Sequence, residues 1–231
     1  MAARPAHLTQ PAGPDRDSIR AGAAILIAAG TLTAVAGAAL LFGLQPRTTV
    51  SEDLWRYPWE SSSAFVVFSL FSALVHGLVA IGIVAFGRSG AAGRSRAATW
   101  GVRVAAVGTV LLGVGEVVSI PVRDALTTDG SAEIVAGVFA VAALTSTAGF
   151  LMLGAATLRA GVWQGWRRFT PLAVGGWLCV LNVVPAVSPT ALHGTVGVYG
   201  LCLLVMAVAL YTDPVPELAP AAAAGRLQHV A

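Results

Sequence analysis

The residue in this chain best placed to do chemistry is Glu116, the one carboxylate inside the apolar run from Val104 to Pro121. An acid surrounded by hydrocarbon costs several kcal/mol unless water or a partner meets it, so it marks a functional site by default. Depth along helices predicts two companions. In a bundle of spanning helices, Glu116 lies about 7 Å from the end of its helix, Asn182 about five residues from the matching end of a later helix, and His193 opens the next one. The expected cluster of Glu116, Asn182 and His193 would bind a proton, a cation or a small ligand. Each also has a plainer role: Asn182 as a bond to a neighbouring helix, His193 as an interfacial residue, Glu116 as a structural acid held by Ser119 or a backbone amide.

His76 is expected far from that cluster, about 20 Å from the end of its own helix. It would bond Ser69 or Ser72 within its own turns. The depth mismatch with His193 argues against a haem held by two histidines. Cys179 and Cys202 fall at similar depths on adjacent helices, where a buried thiol behaves as a small apolar group. The chain has no nucleotide loop, HExxH, GxSxG or CxxC pattern. No catalytic residue, metal or cofactor is expected, and an enzyme is not predicted.

These residues sit in a chain that is 56% apolar and 11% charged, outside the range of soluble domains. The expected fold is all-α, a polytopic bundle of six transmembrane helices at about 21–44, 63–86, 99–120, 134–158, 169–187 and 191–211. Residues 1–20 and 212–231 read as tails, the first disordered. All 14 basic residues are arginine. Alternate loops divide them as Arg4, Arg16, Arg20, Arg88, Arg94, Arg96, Arg103, Arg159, Arg167, Arg168 and Arg226 against Arg47, Arg56 and Arg123. This bias places both termini in the cytoplasm of a cell whose plasma membrane holds the protein. The partners expected are the lipid bilayer, an unidentified small ligand or ion, and a second copy or another membrane subunit. The pI of 9.4 is met by lipid headgroups, and nucleic acid is not expected.

Interfacial aromatics fit this plan. Trp55, Tyr57 and Trp59 precede the second helix, and Trp163 and Trp166 precede the fifth, where they would anchor at headgroup depth. The segment 51–60 is dense enough in aromatics and charge to fold over the bundle as a lid. Close helix approach in lipid depends on small residues. Gly101, Gly108 and Gly115 recur every seven residues in the third helix, and Ser62, Ser69 and His76 recur likewise in the second with Ser72 on the same face. The two helices are expected to pair along these seams, with Glu116 flanking them. Gly194, Gly197 and Gly200 offer a further close-approach surface on the sixth helix. The pattern Leu32-Thr33-x-x-Ala36-Gly37 recurs as Leu144-Thr145-x-x-Ala148-Gly149. With three spans per half, that would be an inverted repeat of the kind transporters use.

The run Asp53-Leu54-Trp55-Arg56-Tyr57-Pro58, the following His76 and Gly113-x-x-Glu116 resemble a group of uncharacterised six-helix membrane proteins from high-GC Gram-positive bacteria. The resemblance implies a topology and no substrate. Two functions follow from the residues: a small transporter, channel or outward-facing sensor built on Glu116, or a noncatalytic component whose glycine seams bind another subunit.

Overall fold

The computed structural model describes residues 16–214, and among them the regular structure is helical, with no strand. Six helices follow in order: α1 (Arg16–Ala38), α2 (Ser62–Ser89), α3 (Arg96–Val118), α4 (Gly130–Ala160), α5 (Thr170–Val187) and α6 (Leu192–Thr212). A π segment, Ala39–Leu44, and a 3-10 turn, Gln45–Arg47, prolong α1. Most of the two expected tails lies outside the described residues. Residues 16–20 are not tail, because α1 begins at Arg16 with Asp17 in its first turn, where a carboxylate suits the helix dipole.

Five helices, α1 with its extension, α2, α3, α4 and α6, are long and apolar enough to cross a membrane. Their exposed faces carry Val67, Leu70, Leu74, Val107, Val110, Leu144 and Leu201, an apolar coat that suits lipid and not water. α5 has 18 residues, about 27 Å of helix, which is shorter than a typical hydrocarbon core. Local chemistry sets the ends. Ser61 and Ser95 accept hydrogen bonds from the backbone N–H groups of Ala64 and Ala98 to start α2 and α3. Gly90 and Gly161 stop α2 and α4 with φ of 79° and 60°, left-handed values that glycine tolerates best.

The helices form a ring in chain order, each packed on its neighbours and closed by α1 against α6, while α2 also touches α6 across the interior. The closest pairings are α3 with α4 and α1 with α6. Both are built on glycine. A methyl group on Gly108 would overlap the backbone of Ser146, and one on Gly149 that of Ala105. On the other side of the ring, Gly200 lies on Ala34 and Gly37 on Gly197 in the same way. Moving from 34 and 37 to 146 and 149 is a step of 112, and from 105 and 108 to 197 and 200 a step of 92. The two half-to-half contacts thus coincide in register. Helices α1–α3 and α4–α6 run in opposite senses, so the recurring Leu-Thr-x-x-Ala-Gly pattern lies on a structural inverted repeat.

The expected pairing of the Gly101, Gly108 and Gly115 seam with α2 is corrected. That seam faces α4, against Leu153, Ser146 and Phe139. Serine at 62, 69 and 72 cannot compete, because α4 offers Gly149 and brings backbone to backbone. α2 meets α3 one face away, through Gly87 on Val102 and through Gly113 on Ala73 and His76. Trp163 is also corrected from interfacial anchor to core: it is 0% exposed and stands edge-on to Phe86 at 5.3 Å, while Trp166 stays exposed. Arg103 is exposed, over the Trp100 ring at 5.5 Å. Cys179 is exposed, Cys202 is half-buried, and both are free thiols.

Gly149→Val is expected to cost about 1–3 kcal/mol or prevent assembly, because no side chain can move aside from a backbone contact. Gly137→Ala, which enters open space, is expected to leave the thermal midpoint of the detergent-solubilised protein unchanged. A midpoint for Gly149→Val equal to wild type would contradict the seam.

Candidate functional site

Rotation about α3 decides where Glu116 points. The exposed residues Arg103, Val107, Val110, Val114 and Val117 define the outward face. At 100° per residue, Glu116 lies on the opposite side with the fully buried Ala105 and Thr109, facing the ring interior. Its carboxylate makes no hydrogen bond or ion pair among the described residues. Ser119 donates to its backbone carbonyl at 2.7 Å, which leaves the side chain unanswered. The structural-acid arrangement, with Ser119 bonded to the carboxylate, is therefore not the one observed.

The cluster of Glu116, Asn182 and His193 is not assembled. The Asn182 amide donates to Thr147 Oγ1 of α4 at 3.0 Å and to the Leu178 carbonyl at 2.7 Å. Its depth is also different. Thr147 adjoins Ser146, whose hydroxyl meets Thr109 at 3.3 Å, seven residues and about 10 Å below Glu116 on α3. His193 belongs to the α1–α6 edge, with Nδ1 2.8 Å from the Gln45 amide nitrogen, and that amide also donates to the Thr190 carbonyl at 3.0 Å. The ring order explains both outcomes. α3 packs chiefly on α2 and α4, while α6 packs on α1 and α5, so matched depth did not bring the side chains together.

His76, expected to be remote, is instead the titratable neighbour. Its Cβ lies beside Gly113, one turn from Glu116 on the facing helix. The depth error has a physical source: α2 starts well above the end of α3, so distances counted from helix ends are not comparable. His76 Nδ1 is 2.8 Å from the Ser72 carbonyl. A carbonyl only accepts, so Nδ1 carries the hydrogen and Nε2 is left with a lone pair. Nε2 has no protein partner among the described residues. Ser69 is fully buried on the same helix, and its hydroxyl is unpartnered.

A cap covers this end of the ring. Segment 48–61 pairs with the α3–α4 connection: Trp55 N–H donates to the Ala125 carbonyl at 3.0 Å, Arg56 N–H to Arg123 at 3.0 Å, and Thr127 N–H to Asp53 at 2.7 Å. Asp124 joins the pieces. It meets Arg56 Nε at 3.0 Å and Arg123 Nε at 3.3 Å, and accepts from Ser62 Oγ at 2.7 Å. Arg56 also donates to the carbonyls of Trp59 and Glu60 at 2.9 and 2.6 Å. The aromatics lock downward, Trp55 toward Phe139 at 6.4 Å and Trp59 on Phe68 at 4.8 Å. Burial, and then the charge of Glu52, hold the Tyr57 hydroxyl above the ordinary tyrosine range. The Thr49 N–H, followed by the Thr48 hydroxyl, holds the Glu60 carboxylate below the ordinary glutamate range.

Sequence reasoning singled out Glu116 but not its surroundings, which depend on which helices are neighbours. No family model, curated protein or solved structure matches this chain.

Two outcomes follow. Asn182→Ala is expected to lower stability by about 0.6–1.7 kcal/mol, the range for bonds between membrane helices, without altering any chemistry of Glu116. Ionised Glu60 is the bonded form, so its contribution is complete above the ordinary glutamate range and fades as pH falls through its lowered value. Hydrogen-exchange protection of the Thr49 amide should fall on such acidification, and in Glu60→Ala, which removes the acceptor, it should be low at every pH. Unchanged protection in that variant would refute the assignment.

Proposed function

We propose that this chain is a plasma-membrane protein with six spans and both termini in the cytoplasm, which moves or senses a proton or small cation through Glu116. The observation that carries this reading is the unanswered carboxylate inside the ring, one turn along α3 from Gly113, against which the Cβ of His76 packs. A carboxyl and an imidazole on facing helices can share a cation or relay a proton. The inverted repeat supports transport, since transporters built this way hold their sites at the interior meeting of two halves.

Topology enters as follows. Six spans require α5 to cross despite its length, and the ring supports this, because α5 fills the place between α4 and α6. The arginine bias then sets the cap outside and the ends of α2 and α4 inside. The noncatalytic alternative loses its main support. The glycine seams it would use for a partner are occupied within the chain, by α4 for α3 and by α1 for α6.

Proteoliposomes containing the full chain and a pH-sensitive dye test the reading. Wild-type protein is expected to dissipate an imposed pH gradient, or to acidify the lumen when a cation gradient is applied. Glu116→Gln should reduce the rate at least about tenfold, the loss expected when a buried charged partner is removed. Equal rates for wild type, Glu116→Gln and empty vesicles would refute transport. Impermeant maleimide reaching a cysteine at Thr127 but not one at Ser95 in intact cells would support the orientation, and the reverse would overturn it.

A further inference from the structure

The outer surface of α1, α2 and α3 carries a groove of about 720 Å³. Small residues create it. A methyl group on Gly22 would overlap the Ala85 side chain, and the short side chains of Ala21, Ala80 and Ala106 leave the space beside that contact unfilled. Ile81, Val84, Val107 and Val110 also line the groove and are exposed, which turns it toward lipid and not toward the ring interior.

The groove is apolar along most of its length and basic at one end. From Ala80 to Arg88 it follows eight residues of α2, about 12 Å, which is most of one leaflet of a hydrocarbon core about 30 Å thick. Its two polar lining residues, Ser18 and Arg88, both lie at the end away from the cap, where α1 begins at Arg16 and α2 ends at Ser89. Arg88 is exposed and makes no ion pair among the described residues. Arg103 adds charge nearby: Gly87 packs on Val102, and Arg103 occupies the turn of α3 that precedes Ala106 and Val107 on the same face. The exposed Trp100, over whose ring Arg103 lies, suits headgroup depth. The α2–α3 connection adds Arg94 and no acid, and Asp17, in the first turn of α1, does not line the groove. A matching occupant is hydrocarbon through one leaflet and anionic where the leaflet meets water. A second copy of this chain matches poorly, because two-fold pairing on this face would bring the arginines of both copies together.

We propose that this groove holds an anionic phospholipid, with an acyl chain along Ile25, Ala80 and Val110 and the phosphate on Arg88. A guanidinium suits a phosphate through charge-assisted hydrogen bonds, and basic pockets between spanning helices take anionic headgroups. The inference is independent of Glu116 and requires only that these helices cross a bilayer.

The test uses the full chain in detergent, with phosphatidylglycerol and phosphatidylcholine of identical acyl chains added in turn and binding read by native mass spectrometry and thermal midpoint. Phosphatidylglycerol is expected to stay bound and to raise the midpoint more than phosphatidylcholine does. Arg88→Gln should weaken its binding about fivefold, the effect of one basic residue at an anionic surface, while Arg88→Lys keeps most of it. Ala106→Leu and Val110→Trp, two independent ways of filling the groove, should weaken it as well. Arg159→Gln, exposed at the same end on α4, should leave it unchanged. Equal binding of the two lipids, or binding indifferent to Arg88→Gln or to a filled groove, overturns the proposal. So does a dimer in lipid-free detergent that Val110→Trp dissociates, since a second copy would then be the occupant.

Discussion

Backbone contact at glycine governs this molecule. Lipid supplies no hydrophobic drive between helices, so the pairs that come closest gain most from dispersion, and these are α3 with α4 and α1 with α6. Gly108 and Gly149 fix one pair, Gly37 and Gly200 the other, at matching positions of two inverted halves. With those edges fixed, α2 and α5 fall between them and the ring closes. The helices that carry His76, Ser69 and Asn182 are thus the less tightly held members, on the flanks of two rigid pairs.

Within this frame some polar groups are satisfied and others are not. Several are met on the rigid pairs: Thr109 by Ser146, and His193 by Gln45. Asn182 reaches Thr147 across the α4–α5 edge. Others are not: the hydroxyls of Ser69 and Tyr199 and the Nε1 of Trp163 are buried without a partner, and the Glu116 carboxylate and the Nε2 of His76 make no hydrogen bond among the described residues. Buried polar groups are normally bonded, and each exception marks a place to look for a ligand or water. The cap seals one end of the ring through Asp124, which ties two connections and the start of α2 together.

The helices were legible in the sequence because hydropathy and arginine punctuation are strong signals, and predicted bounds fall within a few residues of those observed. Glu116 was legible for the same reason: an acid in an apolar run has no ordinary explanation. Its neighbours were not, since sequence gives depth along a helix and only poorly the order of helices around a ring. That gap produced the expected cluster with Asn182 and His193. It also hid His76, because α2 overshoots α3 and the two ends do not share a level. The seven-residue glycine seam was visible, but its partner could be chosen only once Gly149 was seen to accept it. The Leu-Thr-x-x-Ala-Gly recurrence gained weight only when its flanking contacts repeated in register.

The central claim is that Glu116 is open to exchange with water or solute inside the ring. Difference infrared spectroscopy of the nanodisc-embedded protein follows its carboxyl band directly as pH is varied. The expected result is a titrating band that disappears in Glu116→Gln and is displaced when His76, on the facing helix, is changed to glutamine. A carboxyl band that stays fixed across the pH range in which the protein remains folded, identical with and without His76, would show a sealed structural acid and contradict the account.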